Sequence, residues 1–341
     1  MQLGDRHGRV ATDLRVSLTD RCNLRCTYCM PADGLPWLPT EEALTDPEVV
    51  RVLTVAVERL GITKLRFTGG EPLLRPGLAR IIAASKELRT ADGRPPETSL
   101  TTNGLGLDKR LDDLVAAGLD RVNISLDSLD RATYARLSRR DRLPDVLTAI
   151  DAVIASPLRP IKINAVIMRG ENEQAIAPLA QFCLERGLQL RFIEQMPLGP
   201  RHEWVRSAMV TQAEILDVLH QHHTLTPVDE PRGHAPAELW RVEPDTRPGT
   251  AHAGGTIGVI ASVTHPFCAA CDRSRITADG QVRTCLFSRT ETDLRTILRS
   301  GGSDDDLAAA WVGAHASKPA GHGIDEPTFL PPLRTMSAIG G

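Results

Sequence analysis

Lysine is scarce in this 341-residue chain: five residues (Lys64, Lys86, Lys109, Lys162, Lys318) stand against 35 arginines. A skew of that size marks a compositional bias, so a lone arginine is weak evidence of a site. Long apolar runs are also missing. Each is broken well before the roughly 18 residues that a membrane-spanning helix needs, so no such helix is expected. The opening MQLGDRHGRVATD has no apolar core, which argues against a secretory signal. Nor is there an excess of one charge. The formal net charge is -3, which favours neither nucleic acid nor an anionic membrane face as a partner. No segment repeats. No GxxxxGK[ST] loop occurs, which removes a Walker-type phosphate cradle. What is present is an ordinary globular mixture, 41% hydrophobic and 24% charged, and a cytoplasmic location is expected.

Short β-type runs alternate with amphipathic stretches from residue 12 to about 196. Strands are expected at Leu14–Leu18, Lys64–Thr68, Thr98–Asn103, Arg121–Leu126, Ile161–Met168 and Gln189–Gln195, all rich in Val, Ile, Leu and Thr. Asp46-Pro47 reads as a helix start and Gly61 as its stop, while Gly118 and Gly187 sit where later helices should end. Six successive βα units predict an α/β fold, a partial (βα)6 TIM-like barrel of parallel strands, with ligands at the C-terminal ends of those strands. The texture changes after about residue 197. A helix near Gln212–Gln221 precedes a Pro-, Gly- and His-rich stretch, Thr224–Gly255. Short strands follow around Thr256–Ser262, Arg275–Thr277 and Gln281–Leu286. The expected division is a core over 1–215 and a smaller C-terminal region over 216–341, whose tail from Gly321 has no periodicity.

Six of the seven cysteines fall into two triplets: Cys22, Cys26 and Cys29 as CxxxCxxC, and Cys268, Cys271 and Cys285 as CxxCx(13)C. Disulfides are rare in the cytosol, so these spacings read as metal ligation. Three thiolates can bind three irons of a 4Fe–4S cluster, leaving the fourth open to a small chelating molecule. A structural zinc site is the competing reading for either triplet, and His265 could supply its fourth ligand at the second. Cys183, within Phe182-Cys183-Leu184, reads as core filler, and His202 and His265 receive no other role. Between the second and third cysteines of the later triplet runs Asp272-Arg273-Ser274-Arg275. Two arginines at i and i+2 of an extended segment share a face and can clamp phosphate oxygens. Arg15, Arg66 and Lys162 lie inside apolar strands, where a cation is costly unless paired. A bound anion would explain them; structural ion pairs are the alternative.

The CxxxCxxC loop, with Tyr28 inside it and Thr68-Gly69-Gly70-Glu71-Pro72 after the second strand, resembles the radical S-adenosylmethionine superfamily. The resemblance implies a cluster whose open iron binds the methionine part of S-adenosyl-L-methionine. Reductive cleavage then yields a 5′-deoxyadenosyl radical that takes hydrogen from substrate. FCAACDRSRI, Cys285, DLRVSLTDRCNLRCTYCMP and the closing Gly340-Gly341 narrow the likeness to the GTP 3′,8-cyclases that open molybdenum-cofactor biosynthesis. It covers about residues 12–196 and 256–341, and the stretch between carries little signal.

That narrower resemblance implies two 4Fe–4S clusters, with the guanine of GTP on the second. The radical would remove the ribose C3′ hydrogen and C3′ would attack C8, giving (8S)-3′,8-cyclo-7,8-dihydroguanosine 5′-triphosphate. By motif position the cofactor side is Tyr28, Gly70, Ser125 and Met196. The GTP side is Arg15, Arg66, Thr101, Lys162, Arg273, Ser274 and Arg275, with Arg191 a further candidate. Arg273, Arg275, Gly340 and Gly341 are expected to be catalytic, the glycines on a flexible tail entering the site. An external electron donor and a downstream cyclic pyranopterin monophosphate synthase are the implied partners, and a homodimer is left open. Two other readings stay in play: a radical peptide- or sulfatase-maturing enzyme, and a zinc-binding structural protein. A Gly-Gly end also marks small sulfur carriers, but those are far shorter than this chain.

Overall fold

A computed structural model describes residues 1–199 and 204–340. A small hairpin, β1 (Leu3–Gly4) and β2 (Val10–Ala11), precedes the main sheet. Six strands then pair in parallel and in chain order: β3 (Asp13–Ser17), β4 (Lys64–Thr68), β5 (Glu97–Thr102), β6 (Arg121–Ser125), β7 (Ile161–Ile167) and β8 (Gln189–Glu194). These are the six expected strands, displaced by no more than a residue or so at either end. Long apolar strands buried on both faces are the easiest to read from sequence.

The segment after residue 215 adds strands to both edges of this sheet. On one side β11 (Gly255–Ile260) runs parallel to β8, followed outward by β10 (Glu238–Val242) and β9 (Leu225–Pro227). On the other, β12 (Arg273–Ile276) runs parallel to β3, followed by β13 (Gln281–Arg283) and β14 (Thr292–Asp293). The two outermost strands, β9 and β14, do not pair with each other, so the barrel is open. β9 and β10 lie within Thr224–Gly255, where no strand was expected. Pro227 ends β9 at an edge, one of the few sheet positions that tolerates proline.

Helices pack outside this sheet, and their ends follow local chemistry. The first, Asp46–Thr54, is capped by Thr45 rather than by Asp46: Thr45 accepts from the Glu48 amide while the Glu48 carboxylate accepts from Thr45. It continues as a wider turn over Val55–Arg59 and stops before Gly61, whose φ is +80°. Cys183 lies fully buried in the helix Ile176–Glu185, as core filler should. Among the described residues no helix is long and apolar enough to cross a membrane.

Candidate active site

Strand alternation decides what faces inward. Arg15 on β3, Arg66 on β4, Arg191 on β8, and Arg273 with Arg275 on β12 all line one cavity of about 1140 Å³. Strands from both halves of the sheet line it, so the sheet curves around it. Lys162 sits one inward position below Asn164 on β7 and is opposite Asn123 in register. Ser274, between the two arginines, necessarily points the other way. Its hydroxyl is fully buried, accepts from Trp311 Nε1 at 2.9 Å and bonds His315 Nε2 at 2.9 Å. The Ser274 side chain therefore braces the helix Asp304–Ala316 and does not face the cavity.

The inward cations are short of counter-charge. Asp13 lies 3.6 Å from Arg66, and Glu97 lies 2.6 Å from Arg121, a ring member that sequence reasoning treated only as a strand start. Among the described residues Arg15, Lys162, Arg191, Arg273 and Arg275 have no carboxylate within ion-pair distance. Nε of Arg15, Arg66 and Arg273, together with Asn164 Oδ1, is buried without a hydrogen-bond partner. Burial, reinforced by the neighbouring guanidinium groups, lowers Arg191 and Arg275 to about 10 and Lys162 to about 7, and holds Arg15 well below its ordinary value. A cluster of this kind is stabilised by an anion carrying several charges. Of the two readings of the strand cations, Arg66 is partly met by Asp13, while Arg15 and Lys162 are left for a ligand.

Beside this cavity is a smaller one of about 760 Å³, lined by Cys22, Cys26, Cys29, Gly70 and Glu71. The two share Tyr28, Thr101, Ser125, Asp127 and Met336 as a common wall. The first cysteine loop closes tightly: the Cys29 and Met30 amides donate to the Cys26 carbonyl at 2.9 and 3.1 Å. It is tied to the helix Arg131–Ser138 through Arg25 N to Ser138 O and Thr27 N to Leu137 O. Gly69 and Gly70 are needed where they are. A Cβ on Gly69 would lie 2.4 Å from Thr19 O, and one on Gly70 2.3 Å from Arg21 O. The two glycines thus let this loop pack directly on the backbone of Thr19, Asp20 and Arg21 at the edge of the cavity.

Glu71 accepts from Thr102 Oγ1 and from the amides of Asn103 and Leu73, and burial raises its carboxyl to about 7. Tyr28 donates to Asp127 Oδ2 at 2.7 Å, and burial raises Asp127 to about 6. Neither carboxylate stood out in the sequence, although Glu71 lies within the glycine motif quoted above and Asp127 directly follows the expected strand Arg121–Leu126. Met196 lines the large cavity and packs against Met209, Val263 and Ile324.

The second triplet lies beside the large cavity. Cys268–Ala270 forms a single 3-10 turn that brings Cys271 back towards Cys268, and Cys285 follows directly after β13 and Thr284. Their neighbours Phe267 and Leu286 line the large cavity, and Arg275 lies in the electrostatic field of Cys285 and Cys271. Within each triplet the thiols act on one another: burial and then Cys22 raise Cys29 to about 12, and burial followed by Cys285 and Cys271 raises Cys268. Among the described residues no three His, Cys, Asp or Glu side chains converge where a single metal ion would sit. His265 instead bonds Thr264 Oγ1. Cys22, Cys26 and Cys29 line one cavity together, a donor set that suits a cluster held by three thiolates.

The tail is seated in the site. The turn Met336–Ile339 hangs from Leu198 O by the Met336 amide, and Gly340 O accepts from Arg275 at 2.7 Å. Gly341 and His202 lie outside the described residues.

Two family models match the chain: one described as Radical SAM superfamily over residues 16–183, the other as Molybdenum Cofactor Synthesis C over residues 188–324. A GTP 3′,8-cyclase of Corynebacterium glutamicum is 62% identical over 339 residues, covering 99% of this chain and 89% of its own. One from Mycolicibacterium smegmatis is 56% identical, covering 99% and 92%. A crystal structure of SuiB from Streptococcus suis aligns with a TM-score of 0.59 at 15% identity, over 90% of this chain and 67% of that one, a likeness of fold alone.

Proposed function

This chain belongs to the GTP 3′,8-cyclases, enzymes of the radical S-adenosylmethionine superfamily that serve molybdenum-cofactor synthesis, and from that membership we propose how its residues divide the reaction. Cys22, Cys26 and Cys29 hold one 4Fe–4S cluster, and Cys268, Cys271 and Cys285 hold a second. The observation that carries this reading is a cation-lined cavity that shares a wall with the cavity of the first thiol triplet and is lined by Phe267 and Leu286, the chain neighbours of Cys268 and Cys285 in the second. GTP, converted to (8S)-3′,8-cyclo-7,8-dihydroguanosine 5′-triphosphate, occupies the large cavity. S-adenosyl-L-methionine occupies the smaller one. When bound and reduced there, cluster and cofactor supply the hydrogen-abstracting chemistry that acts on the ribose C3′ of GTP.

The protein's own work is binding, orientation and exclusion of water. Gly69 and Gly70, by packing on the backbone of Thr19, Asp20 and Arg21, bring their own backbone to the wall of the cofactor cavity, where it can meet the cofactor's amino group. Tyr28, fixed by Asp127, and Ser125 stand in the wall shared by the two cavities, where they hold cofactor and nucleotide in register. Met196 packs on the far side.

Arg15, Arg66, Lys162, Arg191, Arg273 and Arg275 share the triphosphate, and Thr101 contributes a hydroxyl. Distributed cations suffice here because the phosphates are a handle and the bond made is between sugar and base. Gly340 and the turn before it close the shared wall against solvent, with Arg275 as their anchor. Residues 1–215 thus carry the cofactor half and 216–341 the second cluster and the tail. An external one-electron donor, a downstream cyclic pyranopterin monophosphate synthase and a cytoplasmic setting complete the proposal.

Metal analysis of cysteine variants tests it. Reconstituted parent protein should hold about eight irons, and Cys26→Ala or Cys271→Ala about four each, one cluster apiece. Only Cys26→Ala should lose S-adenosylmethionine cleavage. A parent with four irons, or cleavage surviving in Cys26→Ala, would reject the assignment.

A further inference from the structure

Of the five lysines, two are buried. Lys162 belongs to the cation ring already described. Lys318 lies apart, two residues beyond the helix Asp304–Ala316, and only 3% of its surface is exposed. Its ammonium donates to the carbonyls of Cys271 at 3.1 Å and Arg273 at 3.0 Å, and sits 3.6 Å from Cys271 Sγ.

Arg9, a buried neighbour, makes an instructive contrast. It donates to the carbonyls of Cys268 at 2.7 Å, Ala320 at 2.8 Å and Pro319 at 2.6 Å, and its charge is answered by Asp5 at 2.6 Å. Arg9 therefore already ties the segment after Lys318 to the cysteine turn. No carboxylate among the described residues answers Lys318. Two carbonyl dipoles do not neutralise a buried ammonium, and an uncompensated one is costly. Among the described residues, the one group hydrogen-bonded to it that can carry a full negative charge is the Cys271 sulfur.

We propose that Lys318 is a positioning residue for the second thiolate triplet: it fixes Cys271 through both carbonyl and sulfur and supplies the counter-charge to the cluster held there. The inference rests on the reading of Cys268, Cys271 and Cys285 as cluster ligands. Its consequence is electrostatic. Hydrogen bonds to cluster sulfurs, and net charge near them, set the reduction potential. A fixed positive charge at this sulfur favours the state that has gained an electron. Through Arg273 O the same ammonium also holds β12, so the cluster and the paired arginines share one brace.

The test uses the full-length chain with Cys22, Cys26 and Cys29 all replaced by Ala, so that only the second triplet can bind a cluster. Three versions are reconstituted anaerobically: Lys318 intact, Lys318→Met and Lys318→Arg. Iron, sulfide and the midpoint potential from an EPR-monitored titration are measured for each. Lys318→Met should keep the cluster but lower its midpoint by at least a tenfold change in the one-electron equilibrium, about 59 mV. Lys318→Arg should recover most of that shift.

Loss of the cluster from the Met form alone would also support the proposal, since charge then decides retention. A midpoint unchanged in Lys318→Met would overturn it. So would equal loss of the cluster from both variants with the parent's circular dichroism intact, since shape and not charge would then matter. Failure of the Lys318-intact chain to bind any cluster would instead refute the second cluster itself, and the role of Lys318 would fall with it.

Discussion

Gly340 is the point where the tail meets the strands, and replacing it with alanine is a quantitative test of that contact. Its φ is +87°, and a Cβ built there would lie 2.9 Å from Thr68 Cγ2 and 3.1 Å from Ser17 Cβ. A side chain in such a backbone conformation costs about 1–3 kcal/mol. Forcing a methyl between two strands adds about 1–3 kcal/mol more. Opposing this are the Arg275 bond to Gly340 O, worth about 1.5–3 kcal/mol as a charged hydrogen bond, and the fully buried Ile339 side chain, worth about 1.5–3 kcal/mol. The penalty is comparable to what holds the final residues, so the tail end should leave its seat in a large share of the molecules while the barrel stays folded. The expected result for Gly340→Ala is faster trimming by a carboxypeptidase and at least a twofold fall in GTP turnover. Iron content and melting temperature should stay near the parent's. Parental turnover with parental resistance to trimming would refute the argument.

Other substitutions separate the roles of neighbouring groups. Arg273→Ala and Arg275→Ala should each lower kcat/KM for GTP roughly ten- to a hundredfold, the worth of a charged hydrogen bond, without loss of iron. Only Arg275→Ala should also expose the tail to carboxypeptidase; equal trimming of the two would contradict the Gly340 contact. Lys162 sits at about 7 without a ligand because of burial and then Arg191. A bound triphosphate raises it again, so GTP binding at pH 8 should take up most of a proton. Calorimetry in buffers of different ionisation enthalpy measures this, and uptake persisting in Lys162→Met would assign it elsewhere.

His315 is held at about 3 by burial and then Lys318, below the 6.5 of an unfolded chain. The unfolded state therefore binds the extra proton across that window. Stability is whole above pH 6.5 and declines towards pH 3 by up to about 1.4 kcal/mol per pH unit. His315→Gln should flatten this part of the denaturation profile, and identical slopes in parent and variant would show that the histidine is not the cause.

The parallel core was legible because each of its strands is a buried run of branched residues between turn signals, and Lys64–Thr68 was read to the residue. The charged residues inside those runs were legible for the same reason: Arg15, Arg66 and Lys162 break an apolar pattern. Arg121 did not, because it begins its strand and looked like a polar boundary. Ser274 was placed with its arginine neighbours by motif position, and strand alternation turns its side chain to the opposite face, onto Trp311 and His315. The edge strand β9 and its neighbour β10 were hidden in a Pro-, Gly- and His-rich stretch, whose composition masks short strands. Met336–Ile339 is too short to show a helical period, and its position depends on Leu198 O and Arg275, contacts far away in sequence. The partnership of Lys318 with Cys271 spans 47 residues and left no local sign.

The most direct test of the central claim is an anaerobic assay of the reconstituted chain with reductant and S-adenosylmethionine, with and without GTP. 5′-Deoxyadenosine is quantified and the nucleotide is analysed by mass spectrometry. The account predicts GTP-dependent 5′-deoxyadenosine together with a cyclised isomer of GTP. Cleavage with GTP unaltered, or no cleavage by protein confirmed to carry both clusters, would contradict it.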